Sequence, residues 1–218
     1  MRVIITSDVH LGSRHCLDGL FARFLDALPP DATLVLNGDT VDHHRRQMKP
    51  EHALLLRRLT EEATRRRVVW LCGNHDEYYR PPEPGGLEFA PQFDIGNRLH
   101  VQHGFFFDHI MPYHKAFIFL FRLAHRLRIL LGAEAIHVAE YAKKWPFLYA
   151  VLRRNVQRHA IRFGLERGFA AVACGHTHYA EDVVQNGVRY LNTGAWTEKP
   201  VYYLDVDDAA VTLRRFEE

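Results

Sequence analysis

Short, continuous apolar runs alternate along the first third of the chain with longer stretches of helical spacing. "RVIITS" (2–7), "TLVLN" (33–37) and "VVWLC" (68–72) are β-branched, uninterrupted and brief, the pattern of strands buried on both faces. Between them, "CLDGLFARFLDAL" (16–28) spaces its apolar residues as a helix does and stops at Pro29-Pro30. "PEHALLLRRLTEEATRRR" (50–67) has a proline at its start and a basic last turn, again a helix. This β-α-β-α-β rhythm predicts neighbouring parallel strands with helices on the faces.

Further along, "RPPEPGG" (80–86) reads as an irregular loop and "RLHVQHG" (98–104) as a strand. Residues 105–167 read as mostly helical and unlike the rest. "FAAVAC" (169–174) returns to the buried-strand pattern. The tail predicts antiparallel strands turning at Asn186-Gly187, a hairpin signal, and at Asp207-Asp208.

The predicted strands end in unusual company. Asp8 and His10, Asp39, Asn74, His103, and His176 and His178 each stand where an apolar run gives way to a turn. Ligands of open α/β sheets collect at such carboxyl ends. The i, i+2 pairs Asp8/His10 and His176/His178 point to one side of an extended segment, so one turn can serve two adjacent ions. Mixed Asp, His and Asn donors suit two divalent cations, Mn²⁺ first, with Fe²⁺ or Zn²⁺ as alternatives. Asp39 is the natural bridge between them. Two dications with two carboxylates leave a formal charge of about +2, which attracts phosphate and favours attack on phosphorus by a metal-activated hydroxide. Asp42 and His43 lie near the bridging acid and are candidates for outer contacts. His44, His52 and His100 read as solvated or locally bonded.

Composition narrows the field. The 218 residues allow one domain with a sizeable core, and a formal net charge of +2 gives no global field directed at nucleic acid. Cys16, Cys72 and Cys174 are odd in number and widely spaced, so no disulfide framework follows. Cys72 and Cys174 close apolar runs and read as buried, reduced thiols, and with no secretory signal at the N-terminus the expectation is a cytoplasmic protein. "AFIFLF" (116–121) is too short to span a bilayer.

In order, DxH (8–10), GD (38–39), GNHD (73–76), HG (103–104) and GHTH (175–178) resemble the motif series of the calcineurin-like metallophosphoesterases. The resemblance runs from residue 3 to about residue 195, except for the helical stretch. It implies a sandwich of two central mixed β-sheets flanked by helices, α-β-β-α, in a single domain (1–218) with an inserted helical cap (105–167). It also implies that Asp8, His10, Asp39 and His178 hold one metal, and Asp39, Asn74, His103 and His176 the other. His75 would act beside the phosphoryl group, and Asp76 would orient it.

The helical stretch supplies a second clue. Residues 113–167 hold eleven Lys or Arg against three Glu, a local excess of +8 that leaves −6 for the rest of the chain. Aromatic and aliphatic residues lie between the charges, which predicts a cap packed on its own domain or contact with a membrane surface, on the inner face of the membrane, with nucleic-acid contact as the lesser alternative. The cap's place between HG and GHTH, with "YLNTGAWTE" (190–198), is similar to the UDP-2,3-diacylglucosamine pyrophosphatase branch. That similarity implies a lipid-linked nucleotide substrate, with Arg14, His15, Arg80, Lys143, Lys144 and Trp196 as candidate substrate contacts. The alternatives are a soluble-substrate phosphodiesterase or phosphatase acting on a cyclic nucleotide, phosphoprotein or nucleic acid, and a non-catalytic scaffold.

Overall fold

The computed structural model describes residues 2–42, 48–111 and 115–217, with side chains excepted at 115–118. Strands β1 (Val3–Thr6), β2 (Thr33–Asn37) and β3 (Val68–Leu71) pair in parallel, as the β-α-β-α-β rhythm predicts. Their continuous apolar sequences follow from being covered twice. Ile4, Leu34, Leu36, Val68 and Trp70 face helices α1 (Asp18–Asp26) and α2 (Pro50–Glu62). The alternate residues Val3, Ile5, Val35, Val69 and Leu71 face a second sheet.

The first sheet has six strands in the order β11-β10-β1-β2-β3-β4, where β4 is Glu88–Ala90, β10 is Val201–Val206 and β11 is Val211–Phe216. The second has five, in the order β5-β6-β7-β9-β8. These are β5 (Phe93–Ile95), β6 (Leu99–Val101), β7 (Ala171–Cys174), β8 (Glu181–Gln185) and β9 (Val188–Asn192). Asn186-Gly187 turns the β8–β9 hairpin as predicted, and residues 207–210 turn β10 into β11. Strands β4 and β5, three residues each, are too short to show alternation in the sequence. Helix α2 ends at Glu62, earlier than its apolar spacing suggests, because residues 63–67 turn back to start β3.

Between β6 and β7 lie a 3-10 turn (Phe105–Phe107) and helices α3 (Lys115–Leu130), α4 (Val138–Lys143) and α5 (Pro146–Arg167). Val156, Ala160 and Ile161 of α5 pack on Val172, Val188 and Tyr190, so this part of α5 is the outer helical layer of the second sheet. The layers run α-β-β-α, with α3, α4 and the start of α5 forming the cap. No helix among the described residues is long and apolar enough to cross a membrane.

Trp196 corrects one expectation. Its side chain lies in the core, not on a substrate path, because the Asp8–Trp196 backbone hydrogen bond draws the segment inward. The ring packs 5.0 Å from both Phe21 and Phe24, and its indole N–H donates to Thr6 Oγ1 at 2.7 Å. Replacing Trp196 with Phe strands that hydroxyl and is expected to cost about 1–3 kcal/mol of stability. Thermal denaturation should record the loss while KM for a small phosphodiester stays unchanged.

Candidate dinuclear metal centre

The turns that follow β1, β2, β3, β6 and β7 meet at one edge of the sandwich. Backbone bonds hold them side by side: Asp8 N–H to Gly38 O (3.0 Å), His10 N–H to Asp39 O (2.9 Å) and Gly175 N–H to His103 O (2.9 Å). The approach requires glycine, since a Cβ on Gly73 would lie 2.1 Å from Asp39 Oδ1 and one on Gly175 would lie 2.2 Å from Asp8 Oδ2. Asp8, His10, Asp39, His176 and His178 all adopt left-handed backbone, with φ between 51° and 67°. Non-glycine residues pay for that conformation with strain, and it concentrates at functional sites.

Seven donor side chains gather there. His178 Nε2 lies 3.2 Å from Asp8 Oδ1 and 3.1 Å from His10 Nε2, which in turn is 4.0 Å from Asp39 Oδ2. His103 Nε2 is 3.2 Å from the same Asp39 oxygen. The His176 ring stands 5.5 Å from that of His103, and its Nδ1 is 2.9 Å from Asn74 Oδ1. Asp39 therefore adjoins both groups of donors. Asp8, Asp39, His10, His103 and His178 are all buried.

This arrangement fits two cations. His103 Nδ1 donates to Asn37 O at 2.8 Å, which leaves Nε2 as the bare nitrogen of the neutral ring. His103 Nε2 is buried and makes no hydrogen bond, although Asp39 Oδ2 lies 3.2 Å away. Two imidazole nitrogens facing each other at 3.1 Å, beside two buried carboxylates, need a shared cation more than they need each other.

Residues outside the donor set orient it. Asp42 Oδ1 lies 3.2 Å from His10 Nδ1 and 2.8 Å from His75 Nδ1. Asp42 thus takes the orienting role that the family resemblance implies for Asp76. The Asp76 carboxylate accepts instead from the backbone N–H groups of Asp39, Thr40, Val41 and Gly73 and from the Trp70 indole, clamping the two turns together. Asp108, absent from the sequence reading, lies 2.9 Å from His176 Nε2 and leaves Nδ1 toward Asn74. His137, also missed, caps α4 by accepting from Ala139 N–H, and its ring stacks on His178 (5.2 Å, 12°).

The expected substrate contacts fare unevenly. His15 lies near the centre, 5.7 Å from the His137 ring, and Arg14 donates to it. Arg80 stacks on Phe89 and does not line the cavity over the centre. Lys143 donates to His178 O and pairs with Glu198, tying the cap to the donor turn. Lys144 is exposed and outside the cavity, whose arginines are Arg122 and Arg153. His43 and His44 fall outside the described residues. His100 bonds locally to Asp94, whereas His52 accepts from Gly12 N–H, 40 positions away.

The sequence profile of the calcineurin-like phosphoesterases matches residues 1–180, and the chain belongs to that family. In fold it is similar to Yfce, a phosphoesterase from E. coli (16% identity, 95% of this chain and 89% of that one, TM-score 0.47). It is also similar to the Pseudomonas putida nuclease MPE (14%, 97% and 87%, 0.47) and to Entamoeba histolytica Vps29 complexed with Zn²⁺ (16%, 99% and 98%, 0.46). No curated protein is similar enough in sequence to count as a relative.

Proton bookkeeping provides a test. Burial alone would lower His10, but its bond to Asp42 and the charges of Asp8 and Asp39 raise it to about 10. Burial opposes and Asp39 and Asp8 likewise raise His103, to about 9. Without a cation these pairs stabilise the fold below the ordinary histidine range, and that contribution is lost as pH rises through about 9 to 10. Ligation needs neutral rings, so loading Mn²⁺ at neutral pH should expel about two protons and tighten with rising pH. Calorimetric titration in buffers of different ionisation heat measures the release; a value near zero contradicts the assignment.

Proposed function

We propose that this phosphoesterase is a two-metal hydrolase that cleaves a phosphodiester or pyrophosphate bond in a substrate carrying an apolar portion beside its phosphoryl group. One observation supports the apolar portion. A cavity of about 180 Å³ has the donor residues His10, Asp39, Asn74, His176 and His178 on one side. Phe121, Val138, Ala139, Leu148 and Leu152 of the cap, with Val156 from the outer layer, form the other side. Arg122 and Arg153 also line it, in keeping with an anionic group. A UDP-2,3-diacylglucosamine-like lipid nucleotide is therefore the first substrate to test.

The bound ions would polarise the phosphoryl group and activate the attacking water. The chain's own residues do the rest. His75 faces the cavity, its backbone N–H donates to Asp39 Oδ1 at 2.8 Å, and Asp42 fixes its ring. From there it can hold a phosphoryl oxygen or protonate the leaving oxygen. Burial would lower its pKa, but Asp42 and Asp39 raise it above the ordinary value, which favours the donor form.

With Mn²⁺ and bis-p-nitrophenyl phosphate, Asp39→Asn should abolish turnover and His75→Ala should lower kcat by about 10²-fold or more. Asp42→Asn should lower kcat by a smaller factor. Equal turnover by wild type and Asp39→Asn on aryl and UDP-linked substrates alike would overturn the hydrolase reading. Leu148→Gln should raise KM for a lipid-linked substrate by roughly 10-fold, the scale of one lost apolar contact, and spare the aryl diester. Equal effects on both would remove the apolar portion from the proposal.

A further inference from the structure

Helix α3 carries apolar residues on two opposite sides. The inner side is occupied: Phe121 and His125 pack on Tyr141 of α4, His125 donates to Ile136 O, and Arg128 lies over the same tyrosine ring. The spacing 121, 125, 128 is one helical face. The outer side has the spacing 120, 123, 127, 130, and there Leu120 is 61% exposed, Leu127 50% and Leu130 80%. Leu131, just beyond the helix, is 88% exposed. At the α4–α5 junction Trp145 and Phe147 are exposed as well. A soluble surface seldom leaves so many large apolar side chains in water without a partner for them.

Charge selects the partner. Lys115–Leu130 contains no Asp or Glu, and the exposed Arg122 and Arg126 flank the outer apolar row. Lys144 is exposed beside Trp145. A second copy of this chain meeting the row symmetrically would bring arginines against arginines. An anionic lipid surface takes the leucines into its acyl boundary and the cations among its headgroups. We propose that the outer face of α3, with Trp145 and Phe147, docks the protein onto an anionic phospholipid bilayer. Leu120, Leu123, Leu127, Leu130, Trp145 and Phe147 do not line the cavity, although the neighbouring Arg122 does, so docking by this apolar row does not depend on the hydrolase reading.

Co-sedimentation of the full chain with vesicles tests it. Phosphatidylcholine vesicles with roughly one-third phosphatidylglycerol should bind the protein, pure phosphatidylcholine should bind at least about 10-fold less, and high salt should weaken the binding. Leu127→Glu with Leu130→Glu, both exposed positions, should cut binding at least about 10-fold while the circular dichroism spectrum stays unchanged. Bis-p-nitrophenyl phosphate turnover should also be unchanged. If wild type itself shows no turnover, the hydrolase reading fails and vesicle binding still reports on this face. Absence of binding to anionic vesicles, or binding that the double variant leaves intact, overturns the proposal. So does a dimer in light scattering that the double variant dissolves, which would assign the face to a second copy.

Discussion

Asp8 and Asp39 are buried carboxylates at the seam between two sheets, and a buried negative charge persists only where positive charge compensates it. Much of the surrounding architecture follows from that requirement. Histidines from three separate turns aim nitrogens at the two acids, and His10 and His103 are pulled toward the protonated form by them. Cations of higher charge meet the same demand with fewer particles, and the Nε2 atoms of His103 and His178, which face the two acids, have the chemistry to hold them. The centre is thus shaped by electrostatics first, with the turns arranged to satisfy it.

Bringing the donors close has a conformational cost. Five of the seven sit in left-handed backbone, each a strain of about 1–3 kcal/mol in general terms. The strain is held by what surrounds it. Parallel pairing continues past the strand ends through the Asp8–Gly38 and His10–Asp39 backbone bonds, and Asp76 gathers four N–H groups from two turns into one carboxylate. Asp76 is therefore a structural clamp beneath the centre, even though the residue before it, His75, faces the cavity.

The parts of this design that the sequence displays are local ones. An apolar run covered on both faces looks continuous, so β1, β2, β3 and β7 stand out, and each donor lies within a few residues of a run's end. What the sequence hides is pairing at a distance. Asp108 meets His176 across 68 positions and Asp42 meets the His75 ring across 33. Asp42 stands out only as a neighbour of the bridging Asp39, which gives a candidate outer contact but not its partners, and Asp108 follows three phenylalanines that suggest core. Trp196 misleads for the opposite reason: it adjoins a motif-like segment, yet its neighbours in space are Phe21 and Phe24. His137 offers no signal at all, being one histidine in a basic helical stretch whose path back to His178 depends on how the cap folds.

The cap shows how one amphipathic pattern can serve two surfaces. In sequence, the apolar residues of α3 are too many for a single stripe, and charge alone does not say which of them turn inward. Tyr141 settles it by collecting Phe121, His125 and Arg128 against α4. Helix α4 in turn is fastened to the donor turn by Lys143 at His178 O, and Tyr149 of α5 donates to the adjoining Thr177 O. The apolar wall of the cavity and two of the donor-turn residues are therefore one connected unit. The helices that wall the apolar chamber thus help to hold in place the turn that presents His176 and His178, so the cap supports the donor geometry as well as covering it.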